Sequence, residues 1–96
     1  MHIARPPDGF QVLEEPAVSD LIQAECAKWP RLKEHWGAIK IRLKLTGHRE
    51  GAVVGPHRPG WRLFVDDGYE DVGIPRVRIV YLTHRDCLTI AMVSVG

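Results

Sequence analysis

The sequence contains no run of 18 or more apolar residues, and no basic segment leads into an apolar stretch at its N-terminus. A helix needs about 20 apolar residues to cross a bilayer, and an export signal needs the second pattern. Neither a membrane span nor a secretory signal is therefore expected, and the chain reads as cytoplasmic. Cysteine is scarce: Cys26 and Cys87 lack metal-ligand spacing and read as reduced, partly buried thiols rather than a disulfide framework or a zinc site. There is no G-x-G-x-x-G, no P-loop spacing and no H-E-x-x-H. None of His2, His35, His48, His57 and His84 stands beside a Ser or Cys in a nucleophile motif. Each reads as a surface or loop histidine, and neither metal nor cofactor is expected.

What is present is material for one domain. Ninety-six residues, 45% of them apolar, bury a modest core in a single cluster. The net charge of +1 conceals an asymmetry: residues 1–27 carry −4, residues 28–62 carry +7 and residues 63–96 carry −2. The basic residues of the middle segment, among them Lys40, Lys44, Arg49 and Arg58, would draw a polyanion such as nucleic acid. A solvated helix face is the plainer reading of the same run.

Residues 1–9 read as a flexible leader and 10–96 as the domain. FQVLEE, from Phe10, is a short strand candidate with apolar residues on both faces. Pro16 suits a first helical position, and Val18, Leu21, Ile22, Cys26 and Trp29 then form one apolar stripe. Pro30 interrupts that helix. Residues 31–46 satisfy two periods: Leu32, Trp36, Ile39 and Leu43 make a helical stripe, while Ile39, Ile41, Leu43 and Leu45 alternate as in a strand. Periodicity leaves both open; the stripe reaching back to Leu32 and the stop at Thr46-Gly47 favour a helix. Gly47 to Gly60 holds too many glycines and prolines for a regular element. WRLFV, RVRIVYLT and CLTIAMVSV follow as three strands, the last two joined by a short hairpin turn. The order is that of an α+β domain with helices on one face of an antiparallel sheet.

Arg62 and Arg78 each sit within an apolar strand. An arginine stays charged and costs several kcal/mol to bury unpaired. Each must reach solvent, a carboxylate or a ligand, and both are expected on an open sheet face near Lys44 and the basic loop, where they could bind phosphate. Pairing with Asp66, Asp67 or Glu70 is the structural alternative. Tyr81, in mid-strand, reads as an aromatic core or sheet residue.

EEPAVSDLI, the basic second helix ending before a Gly-rich loop, WRLFV and VRIVYLTHRDCLTIAMVSVG together resemble the RelE/ParE superfamily, the toxin halves of type II toxin–antitoxin pairs. The resemblance covers most of the chain from about Phe10. It implies a RelE-like domain of an N-terminal strand, two helices and a three-stranded antiparallel unit, inhibited by a cognate antitoxin. In the RelE branch it implies a metal-independent endoribonuclease that cuts mRNA in the ribosomal A site. There Arg62 and Arg78 match the catalytic basic positions, with Lys40, Lys44, Arg49 and Arg58 attracting RNA. Phe64 stands where the pattern has another cation, and the basic and Tyr or His groups that follow the last strand in that branch do not follow Ser94-Val95-Gly96. These departures leave a ParE-like or divergent, non-cleaving member, directed at DNA gyrase or at its antitoxin alone, as the alternative; a fold that has lost toxicity and only binds is a third.

Overall fold

The computed structural model of the chain describes residues 8–54 and 60–96. Most of the expected leader, with His2, and the segment containing His57 and Arg58 lie outside the described residues. In chain order the elements are β1 (Gln11–Glu14), α1 (Pro16–Cys26), α2 (Leu32–Thr46), β2 (Ala52–Val53), β3 (Trp61–Asp66), β4 (Val77–His84) and β5 (Cys87–Val95). Among the described residues two α-helices and a five-stranded sheet make an α+β fold.

The sheet order is β1-β5-β4-β3-β2. β3, β4 and β5 form the expected antiparallel unit. The expectation of a wholly antiparallel sheet is corrected at β1, which runs parallel to β5, with Val12 beside Leu88 and Glu14 beside Ile90. Parallel neighbours require a long crossover, and α1, α2 and the meander supply it. The Gly-rich stretch also holds a strand after all, as Ala52 and Val53 pair with Leu63 and Arg62. Gly51 makes this possible: its φ is +64°, and a Cβ there would overlap the Leu63 carbonyl.

Pro16 opens α1 with no side-chain cap, its missing N–H being one the first turn cannot use. Val18 and Ile22 are buried, Cys26 and Trp29 pack against the core from its margin, and Leu21 is left exposed. In α2, Leu32, Trp36, Ile39 and Leu43 are buried while Ile41 is 61% exposed. Burial of the helical stripe, at about 1.5–3 kcal/mol per large side chain, outweighs the strand alternation of residues 39–45. Gly47 ends α2 in an ordinary right-handed conformation. Space requires it there, since a Cβ would overlap the Leu88 methyl and the Leu43 carbonyl.

The helices cover the face formed by Phe64, Val77, Ile79, Tyr81, Leu88 and Ile90, which join the helix residues in one core. The opposite face carries Leu63, Arg78, Val80, Met92 and Ser94. β5 changes phase partway along. Tyr81 pairs with Ile90 but Val80 with Met92, so a bulge falls at Ala91. One extra residue reverses the side-chain alternation: Leu88 and Ile90 before it, and Val93 and Val95 after it, all face the core, while Met92 and Ser94 are exposed. Without the bulge Ser94 would be turned inward.

Candidate functional site

Arg62 and Arg78 are not brought together. Alternation along β3 puts Arg62 on the same side as Phe64, which is buried in the core. Arg62 is also register partner of the buried Tyr81, so it stands on the helix-covered face. Arg78 pairs with Val65 on one side and Ser94 on the other and is exposed on the open face. The expectation of a shared open face therefore fails for Arg62. The reason is that Phe64, not Leu63, is the residue of β3 that reaches the core.

Arg62 is engaged where it stands. Its Nε donates to the Glu50 carbonyl and its Nη2 to the Gly51 carbonyl at 3.1 Å. From β4, the Tyr81 hydroxyl donates to the Gly47 carbonyl at 2.7 Å and lies 3.1 Å from that of Glu50. These two side chains fasten the turn after α2 to the sheet, supplying donors from β3 and β4 to its carbonyls. Burial pushes the Tyr81 pKa up to about 12, although the Arg62 guanidinium pulls against it. Tyr81 is thus a hydrogen-bond donor that keeps its proton at neutral pH, unsuited to proton transfer there.

The basic residues of α2 divide in the same way. Lys40 lies 3.6 Å from Glu14, and Arg42 lies 3.0 Å from Glu50 with its guanidinium 5.1 Å from the centre of the Phe64 ring. Lys44 and Arg49 are exposed. Lys44 lies on α2, in the layer opposite Arg78, so the sheet separates the two. Glu14 also accepts the Trp36 indole N–H at 2.6 Å. His35 meets Asp66 at 2.9 Å, joining α2 to the end of β3. Nothing in sequence spacing signals these pairs, which are 22 and 31 residues apart.

Around Arg78 the open face forms a shallow groove of about 220 Å³ lined by Leu63, Val80, Met92, Val93 and Ser94. Among the described residues no carboxylate pairs with Arg78. Its planar guanidinium can take a phosphate or a carboxylate through two parallel bonds, with the Ser94 side chain beside it. His84 occupies the same side of β4 but six residues away, about 20 Å at strand spacing, too far to act on the same group. Among the described residues no group of three His, Cys, Asp or Glu side chains could hold a metal ion. No described helix is long and apolar enough to cross a membrane. Comparison with protein-family models, with curated proteins and with solved structures finds no match.

Proposed function

We propose that the chain is a RelE-like toxin of a type II toxin–antitoxin pair, working in the cytoplasm, and that Arg78 is the side chain through which it contacts its target. The sequence resemblance carried by EEPAVSDLI, WRLFV and VRIVYLTHRDCLTIAMVSVG supports the class. The observation that carries the assignment to Arg78 is its position: a permanent cation, exposed in an apolar groove, with no described carboxylate to neutralise it. An arginine so placed, in a domain of this class, serves recognition better than stability.

In the first reading the target is mRNA in the ribosomal A site. Arg78 binds the scissile phosphate, the ribose 2′-oxygen attacks phosphorus to give a 2′,3′-cyclic phosphate, and the bond to the 5′-oxygen breaks, with water taking the 2′ proton and returning one to the 5′-oxygen. Lys44 and Arg49 add non-specific attraction; Lys40, held by Glu14, adds less. Loss of one donor to the developing charge costs roughly 100- to 1,000-fold in rate. Primer extension on a defined message in a cell-free translation system tests this reading: cuts that need active ribosomes support it, and an intact message removes it.

A second reading has a specific observation in its favour. Arg62 is committed to the carbonyls of Glu50 and Gly51, which leaves Arg78 without the second cation that cleavage would use. A toxin that binds a protein and cuts nothing needs only the one. Inhibition of DNA supercoiling by purified gyrase would identify this mode, and unimpaired supercoiling at saturating protein would remove gyrase as the target. Either mode implies an antitoxin that covers Arg78.

A further inference from the structure

β5 is flanked by strands on both sides only as far as Ile90. β1 accompanies Cys87 to Ile90, and the Glu15 N–H still reaches the Ile90 carbonyl at 3.1 Å. The chain then departs into α1 at Pro16. From Ala91 to Val95, β5 has β4 on one side and, among the described residues, no strand on the other.

The hydrogen-bond phase of this stretch is fixed. The Gly96 N–H donates to the Arg76 carbonyl at 2.8 Å, and the same register runs through Arg78 with Ser94 and Val80 with Met92. In an antiparallel ladder these alternate residues share the bonds, so Val93 and Val95 point their N–H and C=O groups away from β4. Such a row is a template for another strand.

Two recesses flank the row. One, of about 180 Å³, is apolar and lies against the start of α1, lined by Ala17, Val18, Ala91, Met92 and Val93. The other is the groove of Arg78, which shares Met92 and Val93 with it.

We propose that Ala91–Val95 is a sheet-extension site for an extended segment of a partner protein, apolar at alternate positions towards α1 and acidic at the positions facing Arg78. β1 already fills the first half of this edge, and the segment continues its line. Among the described residues Arg78 is the only charged one lining the groove, so the complement it selects is a carboxylate. A residue opposite Ser94 stands two strand spacings from Arg78, about 9.6 Å between Cα atoms, within the joint reach of an arginine and a glutamate. A second copy of this chain fits less well, because its own Ala91–Val95 stretch brings no carboxylate to Arg78. The inference goes beyond the target reading and its test contains no RNA, so either can fail alone.

The probe is a capped peptide of about six residues alternating valine and glutamate, long enough for one strand, with a control of the same composition in two blocks. Amide hydrogen exchange is followed by NMR in the whole protein. The alternating peptide should slow exchange at Val93 and Val95 by about tenfold or more, leaving Met92 and Ser94, already bonded to β4, unchanged. Arg78→Glu, at an exposed position, should raise the peptide concentration for half-saturation by about tenfold. Unchanged exchange at Val93 and Val95 with millimolar peptide overturns the proposal, as does equal protection by the control. Protection that appears on raising protein concentration without peptide also overturns it, by assigning the edge to a second copy. Binding that Arg78→Glu leaves intact overturns the choice of an acidic partner.

Discussion

Arg62 lies opposite Tyr81 across β3 and β4, and both side chains end on backbone carbonyls of the turn that follows α2. One is charged and the other neutral, yet they do the same work. In the turn from Gly47 to Gly51 the carbonyls of Gly47, Glu50 and Gly51 take donors from the sheet. Arg62 is accordingly a residue of the fold, and of the two arginines Arg78 is the exposed one.

Tyr81→Phe keeps the ring and removes the donor to Gly47. A buried carbonyl left unpaired costs about 1–3 kcal/mol, so urea unfolding should show a loss in that range. A loss near zero would mean that water reaches the Gly47 carbonyl.

Stability should also fall at high pH. With the Tyr81 pKa pushed up to about 12 in the folded chain against 10.0 for the free side chain, the unfolded chain releases this proton first. The contribution is therefore complete below pH 10 and lost as pH rises towards 12. Denaturation midpoints of the native chain and Tyr81→Phe should diverge below pH 10 and converge above it. Parallel curves would contradict the burial of the hydroxyl.

The bulge at Ala91 sets a ranking between adjacent positions. Met92 is 65% exposed, so Met92→Asp should change stability by no more than about 0.5 kcal/mol. Val93 packs against the core, and Val93→Asp puts a carboxylate there at a cost of about 2 kcal/mol or more. Urea midpoints decide it; the reverse order would place the bulge elsewhere.

Much of the fold can be read from the residues. The stripe from Leu32 to Leu43 identifies α2 because burial rewards it, and the alternation of Ile39 to Leu45 misleads only while the position of the sheet is unknown. The three C-terminal strands follow from composition and their hairpin turn. Which face an arginine takes is different in kind. Arg62 and Arg78 both sit between apolar neighbours, and only the packing of Phe64 and Ile79 under the helices separates them. The parallel partner of β1, the bulge in β5 and the pairing of His35 with Asp66 depend equally on contacts distant in sequence. Charge was the least legible feature, since Glu14, Glu50 and backbone carbonyls engage Lys40, Arg42 and Arg62.

Glu14 ties β1 to α2 through the Trp36 indole at 2.6 Å and Lys40 at 3.6 Å. Glu14→Ala leaves the buried indole N–H without its acceptor and should cost about 1–3 kcal/mol, with a change in tryptophan emission. Glu14→Gln retains an acceptor and should recover most of the loss. Equal loss in both would show that the charge, rather than the hydrogen bond, holds β1.

The most direct measurement is growth after induced expression of the native chain, Arg62→Lys and Arg78→Ala, with folding of each checked by circular dichroism. The native chain should arrest growth, Arg78→Ala should be folded and harmless, and Arg62→Lys should lose potency only as far as it loses stability. Arrest by folded Arg78→Ala, or unimpaired growth with the native chain, would contradict a toxin that reaches its target through Arg78.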